Sequence, residues 1–171
     1  MSAQQQPSSL PDLSVSFCGI RFKNPVIAAS GTFGYGLEYE PFLDLNAIGG
    51  IVVKGLYFEP REGNPPPRLA ESPSGLINAI GLQGIGVKAF AEKILPRLRA
   101  LDTAVIVNVC GDDDDEYVAV VEFLERQEGI AAYELNISCP NIRAEGRCPA
   151  LSPDSTYALV KLAKAAARRP L

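Results

Sequence analysis

Residues 132–141, Ala-Tyr-Glu-Leu-Asn-Ile-Ser-Cys-Pro-Asn, carry the residue types and spacing best suited to chemistry in this chain. An alternating, mostly apolar run ends in Asn136, and Cys139 follows three residues later between Ser138 and Pro140. A strand with an amide at its tip and a thiol in the loop beyond can present a proton-transfer group to a bound molecule. The competing reading makes Cys139 a small buried apolar residue, as most free cysteines are. The chain has no histidine, which removes His-containing zinc sets, the Ser-His-Asp triad and the Cys-His dyad together. Acid–base chemistry here rests on Cys, Lys, Asp, Glu, Tyr or Ser.

An apolar run closed by a polar residue occurs four times: Val26–Ser30, Gly50–Lys54, Ala104–Asn108 and Ala131–Asn136. Near-continuous Val, Ile and Ala of this length suits parallel strands buried on both faces. In βα-barrels and open doubly wound sheets the C-terminal strand ends carry the active site, so four polar tips would converge there. Singly, Ser30 and Asn108 need no more explanation than a loop beginning where a strand stops. Lys54 is less ordinary after Gly-Ile-Val-Val, and its ammonium would balance an anionic ligand group or a ring carrying negative charge. Asn78-Ala79-Ile80-Gly81-Leu82 adds an amide and a small-residue backbone that a flat, polar-edged ring could approach closely.

Positioning these groups requires alternating strands and helices. Tyr117, Val120, Val121 and Leu124 fall at helical spacing, as do Val87, Phe90, Ala91 and Ile94, with Pro96 expected to kink or end the latter helix. Leu159, Val160, Ala163 and Ala167 mark a last helix, with Ser152 or Asp154 as N-cap. Ser14–Phe17 and Ile20–Phe22 flank Cys18-Gly19 as a hairpin, and Pro41 leaves 37–45 at best a broken helix. The acid run Asp112–Asp115 suits a helix N-terminus better than a calcium loop, whose alternating ligands and central glycine are missing. The order is βα repeated, with right-handed crossovers. One connection, residues 56–83, is long and proline-rich, and long ordered loops are usually functional.

The 171 residues are enough for one domain, with a polar tail over 1–13 and a folded unit over 14–171. Net charge of −4 argues against nucleic acid or anionic membrane as a partner. No apolar run approaches the roughly 20 residues needed to span a bilayer. The start lacks the pattern of a secretion signal, so a cytoplasmic place with reduced Cys18, Cys110, Cys139 and Cys148 is expected. No metal site is expected.

Taken in order, Asn24-Pro25, Ala29-Ser30-Gly31-Thr32-Phe33-Gly34, Lys54, Pro60-Arg61-Glu62-Gly63-Asn64-Pro65, Asn78–Leu82, Asn108 and Asn136-Ile-Ser-Cys-Pro-Asn141 resemble the class 1 dihydroorotate dehydrogenases. The resemblance runs from about Val15 to the end and is closer to the NAD-linked 1B branch than to the fumarate-linked 1A branch. It implies an α/β fold of the (β/α)8 TIM-barrel family, with this chain covering about the first four β/α units. It implies FMN as cofactor, dihydroorotate and orotate as substrate and product, and pyrimidine synthesis as the setting. Cys139 would be the base, and Lys54, Asn78, Ala79, Ile80, Gly81, Leu82, Asn136 and Asn141 would hold substrate. Ser30, Lys54, Gly55, Asn108 and Asn136 would line FMN. An iron–sulfur flavoprotein subunit passing electrons to NAD, and an oligomeric state, are further implications.

Three departures stand out. Gly84 follows Gln83 where the family usually has Asn, Cys148 lies nine residues beyond the expected base, and an eight-fold barrel needs at least about 200 residues. The expectation is an N-terminal half that binds FMN poorly and turns over little alone. The alternatives are a dihydropyrimidine dehydrogenase-like flavin enzyme, against which Pro60–Pro65 and Asn78–Leu82 argue, and a non-catalytic half-barrel acting only through partner binding.

Overall fold

A computed structural model describes residues 11–138 and 148–171. Four parallel strands form the central sheet: β3 (Ile27–Ala28), β4 (Gly50–Leu56), β7 (Ala104–Val109) and β8 (Ala132–Leu135). Their spatial order, β3-β4-β7-β8, is their order in the chain, so no reversal divides the sheet. This is the parallel α/β arrangement expected from the apolar runs. Strand ends differ from expectation at the first and second runs. Only Ile27 and Ala28 pair in the first, whereas β4 runs on to Leu56 through a register irregularity between Val53 and Leu56.

Alternation along each strand sorts the side chains onto two faces. Ile51, Val53, Val105, Val107, Val109 and Tyr133 pack with the helices into one buried core. Ile27, Val52, Ile106, Ala132 and Glu134 line the opposite face, around a hollow of about 640 Å³. The hairpin of β1 (Val15–Phe17) and β2 (Ile20–Phe22) closes one side of that hollow through Phe17, Ile20 and Phe22. Its two-residue turn takes positive φ at both Cys18 (49°) and Gly19 (77°), the geometry that matches strand twist.

The helices follow the sequence pattern with two instructive exceptions. Tyr117, Val120, Val121 and Leu124 form the buried stripe of α3 (Asp114–Glu125), and Asp113 caps it by accepting from the Glu116 N–H at 2.8 Å. The acid run therefore sits at a positive helix end, as its charge demands. Ser152, not Asp154, caps α4 (Pro153–Ala166), accepting from the Ser155 N–H. In α4 Leu159 and Ala163 are buried, but Val160 borders the hollow beside β8 and is 38% exposed.

Pro96 does not end its helix. A π-helical segment, Phe90–Ile94, joins α1 (Gly86–Ala89) to α2 (Leu95–Leu98), so Pro96 falls in the first turn of a new α segment. There its missing N–H is not needed. The inserted residue also moves the buried stripe from Ala91 and Ile94 to Leu95 and Leu98, which are buried beside Val87 and Phe90. Two single 3-10 turns, Leu37–Tyr39 and Leu45–Ala47, occupy the stretch broken by Pro41.

Residues 56–83, expected as an irregular excursion, contain an exposed hairpin of β5 (Leu69–Ser72) and β6 (Gly75–Asn78). After α4 the chain returns to the free edge of β8, where the Tyr133 N–H donates to the Pro170 carbonyl at 2.9 Å. Arg169 holds the turn by reaching the Glu125 carboxylate (3.1 Å) and the Tyr133 hydroxyl (3.0 Å). Burial pushes the Tyr133 phenol up to about 12, so it remains a neutral acceptor for that guanidinium.

Candidate functional site

Because the four strands are parallel, their C-terminal ends lie on one side of the sheet, and the polar tips meet there. Asn108 stands in register with Glu134. Its Nδ2 donates to Glu134 Oε1 at 2.5 Å, and Ser30 Oγ, from the loop after β3, donates to the same oxygen at 2.5 Å. Asn136 Nδ2 donates to Asn108 Oδ1 at 3.3 Å, and the Cys110 thiol approaches that oxygen at 3.7 Å. One row of groups thus joins three strand ends: hydroxyl, carboxylate, amide, amide. Asn108 is only 3% exposed, whereas Ser30, Glu134 and Asn136 are half-buried.

Gly55 completes the row. A Cβ there would lie 2.6 Å from Cys110 Sγ and 2.7 Å from Asn108 Oδ1, so only glycine lets the two pack against β4. Lys54 is half-buried next to it, and its N–H donates to the Gly34 carbonyl at 2.7 Å, tying the loop after β3 to β4. Among the described residues no carboxylate pairs with the Lys54 ammonium. The Tyr117 hydroxyl, on α3, donates to the Asn136 carbonyl at 2.5 Å and fixes the end of β8 from below. Burial raises the Tyr117 phenol above its ordinary range and keeps it a donor.

The excursion is stapled to the same side of the sheet. Arg61 pairs in an antiparallel bridge with Gly84, lays its guanidinium 3.6 Å above the Tyr57 ring, and forms an ion pair with Asp112. Glu116 accepts from the Phe58 N–H (3.2 Å) and the Asp112 N–H (2.8 Å), so the loop before α3 and the start of the excursion are one unit. Lys54, Arg61, Gln83 and Gly84 border a second hollow of about 500 Å³.

Of the four polar tips expected to converge, Ser30, Asn108 and Asn136 are brought together with Gly55 against them, whereas Lys54 borders the hollow with Arg61, Gln83 and Gly84. Asn78, Ala79, Ile80, Gly81 and Leu82 are held by the excursion itself: Asn64 donates through Nδ2 to the Ala79 carbonyl and through its N–H to the Ile80 carbonyl. No described hydrogen bond joins them to the Ser30–Asn136 row. Leu82 takes φ of 53°, an unfavourable value for a branched side chain that marks a constrained loop. Gln83, which precedes the departure at Gly84, accepts from Arg68 at 2.7 Å. Cys139 and Asn141 lie outside the described residues. Cys148 is a free thiol donating to the Ile137 carbonyl at 3.2 Å. Glu134 was missed by the sequence reading. Its signal was present: in Ala132-Tyr133-Glu134-Leu135-Asn136 the alternation that places Asn136 on one face of the sheet places Glu134 there too.

A sequentially ordered parallel α/β sheet with polar groups gathered at its C-terminal ends is the arrangement at which α/β proteins commonly carry their sites. The family model described as dihydroorotate dehydrogenase matches residues 12–171. The chain belongs to the dihydroorotate dehydrogenase family. It is 49% identical over 162 residues to the dihydroorotate dehydrogenase B (NAD(+)) catalytic subunit of Thermodesulfovibrio yellowstonii, covering 95% of this chain and 54% of that protein. The same-named subunit of Geotalea uraniireducens is 47% identical over 94% of this chain and 53% of its own length. A Solibacter usitatus protein, provisionally named dihydroorotate dehydrogenase A (fumarate), is 53% identical over 94% of this chain and 53% of its own. The chain spans about half the length of the curated relatives it matches. Among solved structures, ligand-free DHODH from Eimeria tenella superposes with a TM-score of 0.71 at 19% identity, covering 95% of this chain and 47% of that one. The ferulenol complex of the same enzyme gives 0.68 at 21%, over 95% and 46%. At such identities the likeness is one of fold.

Among the described residues no helix is long and apolar enough to cross a membrane, and no cluster of His, Cys, Asp and Glu could hold a metal.

Proposed function

We propose that residues 14–171 form the first four β/α units of an FMN-binding (β/α)8 barrel that oxidises dihydroorotate to orotate in pyrimidine synthesis. What carries the reading is the meeting of Ser30, Gly55, Asn108 and Asn136 at one side of the sheet in a chain of this family. The free edge of β8, already met by Pro170, is where a next parallel strand would pair.

The donor set fits a flavin ring. Lys54 is a half-buried cation without a carboxylate partner among the described residues, suited to the electron-rich edge of the ring. Asn136 donates one N–H to Asn108 and keeps its Oδ1 and second N–H for a ligand. Ser30, Lys54, Gly55, Asn108 and Asn136 are the proposed FMN side, and Lys54, Asn78, Ala79, Ile80, Gly81, Leu82, Asn136 and Asn141 the substrate side. FMN, when bound, supplies the acceptor for the hydride leaving C6 of dihydroorotate.

This chain's residues do the rest. Cys139, as thiolate, takes the proton from C5, so that loss of both hydrogens leaves the C5–C6 double bond of orotate. In general a neighbouring cation favours a thiolate over its thiol. The carboxamides orient the ring edges, and Lys54 balances negative charge on ring or carboxylate. The NAD-linked branch, a cytoplasmic place, an oligomeric state and an iron–sulfur flavoprotein partner complete the proposal; the names of the 49% and 47% identical relatives support the acceptor.

The test is substrate choice. The polypeptide carrying this chain, supplied with FMN and an artificial acceptor, should oxidise dihydroorotate and leave dihydrouracil untouched. Oxidation of dihydrouracil in preference would overturn the assignment.

A further inference from the structure

Glu134 stands on the ligand face of β8, two residues before Asn136, and its Oε1 accepts from both Ser30 Oγ and Asn108 Nδ2 at 2.5 Å. An ionised carboxylate can only accept, so it obliges both partners to donate. Asn108 must then turn its NH2 towards Glu134 and its Oδ1 the other way. That oxygen takes the Asn136 Nδ2 at 3.3 Å and faces the Cys110 thiol at 3.7 Å. The reversed amide would set oxygen against oxygen at Glu134 and N–H against N–H at Asn136. At 3% exposure Asn108 has no bulk water to repair either clash.

We infer that Glu134 is a positioning residue: through Asn108 it fixes which way the Asn136 carboxamide turns, and so which of its atoms meet the pyrimidine. The inference rests on the dihydroorotate reading above, because it names the ring that Asn136 addresses. The orientation itself is independent of any ligand.

Glu134→Gln keeps the shape but introduces an N–H, which frees Asn108 to turn either way. In the polypeptide carrying this chain, loaded with FMN, the variant should bind orotate at least about ten-fold more weakly, read from the change in flavin absorbance. The swap Glu134→Gln with Asn108→Asp restores the order of donors. The carboxylate then sits on β7 and accepts from both sides, while the amide on β8 supplies the N–H. The swap should recover orotate affinity to within about three-fold. Unchanged orotate affinity in Glu134→Gln overturns the inference. So does a joint loss of orotate, FMN and melting temperature that the swap does not restore, because that is a packing defect. In the unliganded protein the side-chain amide resonances of Asn108 and Asn136 should shift together in Glu134→Gln, and that of Asn136 should return in the swap. If the parent binds neither FMN nor orotate, the proposed function fails, and these resonances still decide the role of Glu134.

Discussion

Gly55→Ala isolates the packing on which the row of polar groups depends. The added methyl would lie 2.6 Å from Cys110 Sγ and 2.7 Å from Asn108 Oδ1, about 0.8 and 0.7 Å inside the 3.4 Å at which ordinary contact begins. Neither neighbour can give way easily. Cys110 is 1% exposed, and Asn108 is held by Glu134 on one side and Asn136 on the other. Gly55 does not use a left-handed φ, so the effect is steric and free of backbone strain. Overpacking of this kind costs about 1–3 kcal/mol, and two simultaneous clashes put Gly55→Ala near the upper end. Gly75→Ala is the control: nothing lies within 4 Å of its Cβ position and its φ is ordinary, so its effect should stay within about 0.5 kcal/mol. Denaturant unfolding of the three proteins gives the comparison directly. Adding Cys110→Ala to Gly55→Ala removes one clash and should recover about 1 kcal/mol as a non-additive term. A Gly55→Ala protein as stable as Gly75→Ala would refute the reasoning.

Two further outcomes follow from the elements around the site. Tyr117→Phe deletes a hydroxyl donating to the Asn136 carbonyl at 2.5 Å from a residue only 2% exposed, and should lower unfolding stability by about 1 kcal/mol while loosening the end of β8 in hydrogen exchange. Glu125 gives the pH dependence. Burial alone would raise its pKa, but the N–H groups of Arg168 and Arg169 and the Arg169 guanidinium hold it below the ordinary 4.5. With the folded value below the unfolded one, the unfolded chain binds more protons between them, so this stabilisation is complete above about pH 4.5 and is lost as pH falls through the folded value. The melting-temperature gap between parent and Glu125→Gln should therefore close on acidification; a gap constant with pH would contradict the assignment.

Much of this arrangement was legible in the sequence because the relevant signals were local. The stripe Tyr117, Val120, Val121, Leu124 and the acid run before it specify a capped helix from neighbours alone. The tips Ser30, Asn108 and Asn136 could be placed on one side because parallel strands leave no alternative. The π-helical segment was not legible. The apolar spacing from Val87 reads equally well as a continuous α-helix, and only packing of Leu95 and Leu98 into the core selects the extra residue. The β5–β6 hairpin was hidden by surrounding prolines, since its pairing is antiparallel and exposed and carries no buried alternation. Glu134 was overlooked for another reason. Its meaning depends on Ser30, more than a hundred residues earlier, and on Asn108, in a neighbouring strand. No window along the chain contains all three.

The most direct test of the proposed chemistry is reduction of bound flavin by dihydroorotate under anaerobic single-turnover conditions, in the parent and in Cys139→Ser. The flavin should bleach in the parent, and the rate in the variant should be at least about 100-fold lower at neutral pH, the usual worth of a positioned base. Equal rates in the two would contradict a role for Cys139 as the base.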